Sequence, residues 1–222
     1  MSVVIVAGGR RWPLRHGQDP VDLLAEQGLT GQPVRSVLGA DGCVEVHYAV
    51  EALDEAVPGP ELGMAGRGAT VLRRVAAYAL VLDGAQLLVS RLAAWVGGGA
   101  GGLWTLPGGG VDPYEEPRDA VVREVHEETG QHVEVGDLVQ VQSTHHVDAD
   151  EDFHAVRLVY LAHCPQPQAA RVVEIDGSTG AAAWVSLDRL SDLPQTAMIG
   201  TALPHLPAEV GRAGAADRDR ET

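Results

Sequence analysis

Apolar and polar positions change rhythm along the chain, and each change marks an element. Val75 to Leu82 and Ala85 to Leu92 are apolar runs separated by Asp83-Gly84, a two-residue signal for a β-hairpin. Trp104-Thr105-Leu106-Pro107 leads a further strand into the glycine-rich turn Gly108-Gly109-Gly110. From residue 117 to 129 the spacing becomes helical. Pro117 suits the first helical position, Asp119 adds negative charge to the first turn, and Gly130 suits a left-handed stop. On that helix Glu127 and Glu128 fall on either side of Glu124 one turn on, forming an acidic edge, while Val122 and Val125 turn toward a core. Val133 to Gln142, Phe153 to Cys164 and Ala182 to Val185 read as strands, and Thr196 to Leu203, between Pro194 and Pro204, as a terminal helix.

The first residues carry a second pattern. Val3 to Val6 predicts a strand, Asp19-Pro20 opens and Gly28 closes a short helix, and Val34 to Leu38 with Cys43 to Val50 alternate as a hairpin. Prolines and glycines between Val57 and Gly68 read as a linker. The organisation expected is a small α+β N-terminal extension at residues 1–66, serving packing or dimerisation, a main domain at 72–203, and a disordered tail at 211–222.

The acidic helix brings in chemistry. Carboxylates three and four residues apart repel by a few tenths of a kcal/mol, so Glu124, Glu127 and Glu128 favour a cation among them. An oxygen-only donor set points to magnesium or manganese. Glycines at 108 to 110 let the backbone approach a metal or phosphate closely, and Arg123 and Glu115 can tie this loop to the helix. A solvated acidic helix after a surface loop is the alternative that the combined pattern disfavours.

Gly109, Glu115, Arg123, Glu124, Val125, Glu127, Glu128 and Gly130 match the charged and glycine positions of the Nudix box, and the chain resembles that family over roughly residues 72 to 203. Two positions depart from the pattern: Gln131 stands where a bulky aliphatic residue is usual, and Tyr114 where relatives often carry glycine. The resemblance implies an α/β fold, a Nudix α/β/α sandwich with a mixed sheet. It also implies a metal held by Glu124, Glu127, Glu128 and the Gly109 carbonyl and an Arg123 that orients a box glutamate such as Glu115; the departure at Tyr114 either stiffens the loop or offers a ring to substrate. The implied activity is magnesium-dependent hydrolysis of a nucleoside diphosphate linked to another moiety, by a metal-activated water. Glu124 or Glu151 would be the general base. A non-catalytic ligand-sensing module and isoprenoid diphosphate chemistry are the other classes on this fold. The former usually loses box glutamates, which this chain keeps, and the latter needs a catalytic cysteine that neither Cys43 nor Cys164 clearly supplies.

His145, His146 and His154 bracket an acidic stretch from Asp148 to Asp152. By family analogy this loop overhangs the site, with His145 and His146 as substrate contacts; otherwise it is a solvated turn. Ala7-Gly8-Gly9-Arg10-Arg11 resembles the phosphate-gripping start of sugar nucleotidyltransferases, or is a plain turn. No substrate marker of a Nudix subfamily is met downstream of the box.

Charge and composition narrow the partners. A formal net charge of −15 opposes binding to long nucleic acid, leaving a small nucleotide or pyrophosphate substrate. All 16 basic residues are arginine, a bias that suggests a GC-rich bacterial genome. Two cysteines are too few for a disulfide framework, and the apolar runs are too short to span a bilayer. A cytoplasmic protein is the expectation, with the extension packing either on the main domain or on a second copy in a homodimer.

Overall fold

The computed structural model describes residues 1–63, 66, 68–175 and 177–207. The tail expected at 211–222 lies outside these residues. Contacts gather the chain into two compact units, one of residues 1–77, 110–120 and 137–159, the other of 78–109, 121–136 and the described residues from 160 onward.

The first unit contains a four-stranded sheet in the order β2-β1-β4-β3. Its strands are β1 (Val3–Ala7), β2 (Arg10–Pro13), β3 (Leu29–Leu38) and β4 (Val44–Ala52), with helix α1 at Pro20–Glu26. Alternation sets the buried face: Val3, Ile5 and Ala7 point inward from β1, and Val44, Val46 and Tyr48 from β4. β1 runs antiparallel to β2 and parallel to β4, so the sheet is mixed. Ala7 pairs with Arg10, which makes Gly8-Gly9 the two-residue turn of a hairpin. Asp19 accepts a hydrogen bond from the Val21 amide at 2.7 Å and caps α1, whose first residue is Pro20.

A second, seven-stranded sheet has the order β11-β6-β5-β10-β9, with β7 paired to β6 and β8 to β5. The strands are β5 (Thr70–Asp83), β6 (Gln86–Leu92), β7 (Trp104–Thr105), β8 (Gly108–Gly110), β9 (Glu134–Val147), β10 (Glu151–His163) and β11 (Thr179–Ser186). Helix α2 spans Pro117–Thr129 and α3 spans Ala197–Ala202. The chain is therefore of the mixed α/β class its pattern predicts. In the second unit Leu87, Leu88, Leu106, Val125 and Ile199 are fully buried.

Two local expectations are corrected. Asp83 pairs with Gln86, so the β5–β6 turn is Gly84-Ala85, one residue later than the Asp83-Gly84 signal suggests. On α2 the buried aliphatic residues are Ala120, Val121 and Val125, whereas Val122 is 38% exposed. At about 100° per residue a helix buries 121 and 125 together, a four-residue spacing that leaves 122 on the flank.

Candidate active site

The box residues of the second unit are assembled by the turn around β8 and by α2. Glu128 lies on the buried side of the helix, only 4% exposed, rather than on an open acidic edge. The Gly108 amide donates to one of its carboxylate oxygens at 2.9 Å, and the Thr179 hydroxyl donates to the other at 2.5 Å. Burial pushes this carboxyl up to about 7; the two donors pull the other way, and the charge of Glu124 adds to the rise. Gly130 ends the helix at φ 70°, and its amide closes onto the His126 carbonyl at 2.8 Å.

Glu124 lies directly against Gly109. A methyl group at position 109 would fall 2.4 Å from Glu124 Oε2, so only glycine leaves that carboxylate room. Arg123 Nη1 donates to Glu124 at 2.8 Å and to Glu127 at 3.3 Å, which holds two like charges on one guanidinium. Desolvation raises the Glu124 carboxyl above its ordinary range, opposed by Arg123 and reinforced by the charges of Glu127 and Glu174. Glu174 escaped the sequence reading. Its amide and that of Val173 donate to the Glu127 carbonyl at 2.8 and 2.9 Å, laying this segment along the end of α2. Thr179 was also missed, because a single hydroxyl at the start of β11 gives no motif.

The donor set suits a hard divalent cation. Three glutamates within each other's field, two with carboxyls raised by burial, and a glycine backbone in contact with one of them provide oxygen ligands only.

The loop before α2, in the first unit, is a tight turn. The Asp112 amide donates to Glu115 at 2.8 Å, and the Glu115 amide returns to the Asp112 carbonyl at 3.0 Å. Tyr114 is 80% exposed and has φ 67°, a conformation glycine adopts freely and a bulky residue does not. Its ring passes over Gly42, in the turn between β3 and β4.

The stretch expected as a loop from His145 to His154 is mostly strand. Only residues 148–150 separate β9 from β10, and Asp148 accepts the amides of Asp150 and Glu151 at 2.9 and 2.8 Å. Strand alternation then parts the two histidines grouped by the sequence. His146 points to solvent near Asp148, whereas His145 turns inward and bonds Asp152 at 2.7 Å. The buried acid of the hairpin is Asp152, not Glu151.

A mixed α/β fold carrying this glutamate-rich helix and glycine turn is the arrangement of a Nudix domain. The chain belongs to the Nudix family: the NUDIX domain model matches residues 72–205. A stretch of 38 residues is 53% identical to human diphosphoinositol polyphosphate phosphohydrolase 3-alpha, covering 17% of this chain and 23% of that protein, so the match spans under a quarter of the curated relative. Among solved structures, the MutT NUDIX hydrolase from Burkholderia pseudomallei is similar at 31% identity over 61% of this chain and 98% of that chain, with a TM-score of 0.45. An ADP-ribose pyrophosphatase from Streptococcus suis is similar at 22% identity over 56% and 80%, with a TM-score of 0.40. Among the described residues no helix is long and apolar enough to cross a membrane.

Proposed function

We propose that the protein cleaves the phosphoanhydride bond of a nucleoside diphosphate linked to another moiety, with magnesium or manganese held by Glu124, Glu127, Glu128 and the Gly109 carbonyl. When bound, the ion supplies charge withdrawal from the diphosphate oxygens and acidifies the attacking water. The observation that carries this reading is the approach of the Glu124 carboxylate to Gly109.

Glu124 is the first choice of general base. Desolvation makes its carboxylate a better proton acceptor than a surface glutamate, and Arg123 fixes its direction. Water oxygen attacks one phosphorus, the bridging P–O bond breaks, and the water proton passes to the carboxylate. Glu128 is held by Gly108 and Thr179, so the turn and helix stay in register while charge moves. Glu115 stabilises the preceding turn. Tyr114 and His146, both exposed, are the substrate contacts proposed, and Glu151 the rival base; His145, turned inward onto Asp152, is withdrawn from that role. A net charge of −15 weighs against a highly anionic substrate such as a diphosphoinositol polyphosphate and favours one diphosphate on a neutral moiety.

Glu124→Gln is expected to lower kcat by about 10³-fold or more at saturating magnesium, in the range of general-base and charge effects combined, while Glu151→Gln retains most turnover. Phosphate and nucleoside monophosphate release over nucleotide sugars, ADP-ribose, nucleoside triphosphates and prenyl diphosphates reads both variants. The reverse ranking would move base duty to Glu151, and near-normal rates in both would remove the site from Glu124.

A further inference from the structure

His16, His145 and Asp152 come from three separate stretches of the chain and meet in the first unit. His16 follows β2, His145 lies near the end of β9, and Asp152 near the start of β10. His16 Nε2 and His145 Nε2 approach the same Asp152 Oδ1 at 2.6 and 2.7 Å. The Asp152 side chain is 5% exposed, and the two imidazoles are 15% and 16% exposed. A third imidazole, His154, closes the cluster with its ring 5.4 Å from His16 and 6.1 Å from His145, and its Nε2 lies 3.0 Å from the Ser143 hydroxyl. Gly17 is packed so closely that a methyl group there would fall 2.6 Å from the His145 ring.

We propose that His16, His145 and Asp152 form a site for a divalent transition-metal ion, with zinc the first candidate. One donor atom from each residue lies within 4.8 Å of the others. Two imidazoles and a carboxylate are a borderline donor set that suits zinc, cobalt or nickel better than magnesium, unlike the all-oxygen set of the box glutamates. Three protein ligands leave one position of a tetrahedral ion for water or a ligand atom. Without the ion, both Nε2 atoms sit at hydrogen-bond distance from Oδ1, so the ion takes the place of the hydrogens between them. At metal–ligand distances of about 2.0–2.2 Å the donor atoms stand roughly 3.3 Å apart, so each imidazole nitrogen draws back from Asp152 Oδ1 by about 0.6–0.7 Å, which side-chain rotation supplies.

Arg73 makes the competing contact. Its Nε donates to His16 Nδ1 at 3.1 Å, which places the imidazole hydrogen of the metal-free state on Nε2, facing Asp152. Metal on Nε2 transfers the hydrogen to Nδ1, and Arg73, an exposed side chain, turns away. Removing this arginine therefore strengthens metal binding.

The test uses full-length protein without a histidine tag, stripped by chelator and titrated with zinc against a chromophoric competitor, and with cobalt followed by its visible absorption. Wild type is expected to take up one equivalent of zinc and to give the intense visible bands of four-coordinate cobalt. His16→Gln keeps a donor to Asp152 but lacks the imidazole and is expected to weaken zinc binding by at least about tenfold, as is His145→Gln. Arg73→Ala is expected to bind severalfold more tightly, and Glu124→Gln to bind as wild type does. Circular dichroism confirms that each variant is folded, and His16→Gln alone decides the matter if His145→Gln does not fold. Wild-type zinc affinity in His16→Gln, no uptake by wild type, or loss of zinc in Glu124→Gln instead would overturn the assignment.

Discussion

At the scale of single residues, Gly109 shows how little space separates backbone from carboxylate. Gly109→Ala places a methyl group where Glu124 Oε2 now lies, and the flexible end of that side chain gives way before the turn does. Because a misplacement of about 1 Å can cost roughly 10²-fold in rate, the variant is expected to lose about two orders of magnitude in kcat and under about 1 kcal/mol in stability. Steady-state kinetics with urea unfolding checks both numbers; a stability loss several times larger would mean that the turn itself had moved. Tyr114 makes the opposite point. Its identity was legible as a departure from the family pattern, but its left-handed backbone was not, since a tyrosine carries no signal for positive φ. Motif spacing locates Glu124 and Arg123, yet nothing local to Asp152 announces a partner 136 residues away in His16.

At the scale of elements, α2 separates what periodicity settles from what packing settles. Capping and charge placed its ends at Pro117 and Thr129, as found, but not the edge of its apolar stripe. Val125→Ala is expected to destabilise the fold by about 2 kcal/mol through lost burial and the cavity left behind, and Val122→Ala by less than about 0.5 kcal/mol. Equal losses in chemical denaturation would show that Val122 is covered. The hairpin of β9 and β10 was shortened in the sequence reading for a related reason. Its outer residues are polar, and a polar stretch with histidines and acids resembles a loop until backbone pairing on both sides is seen. Strand continuation there rests on ladder hydrogen bonds and on Asp148 closing the turn, neither of which leaves an apolar trace.

At the scale of the whole molecule, the N-terminal residues are not a free-standing appendage within the first unit. Val3 and Leu14 line a small cavity with Val75 and Val156, the Leu38 amide donates to Glu116 at 2.9 Å, and His16 bonds Asp152. Deleting residues 1–66 is expected to strand Glu116 and Asp152 without these partners and to expose apolar surface, giving aggregation or a markedly lower thermal midpoint. Size-exclusion chromatography and thermal unfolding read the outcome; a monodisperse truncation with an unchanged midpoint would make the segment an accessory module. Gln131, the other departure from the family pattern, has a practical consequence. It is buried, gives its amide hydrogen to the Thr129 carbonyl at 3.1 Å, and accepts the Gln168 backbone N–H at 2.9 Å. A redesign toward family consensus would replace it by valine and take the acceptor from the Gln168 N–H, at about 0.5–1.5 kcal/mol, while the Thr129 carbonyl keeps only the Arg171 amide at 3.0 Å. In this chain, the statistically favoured residue is the wrong repair.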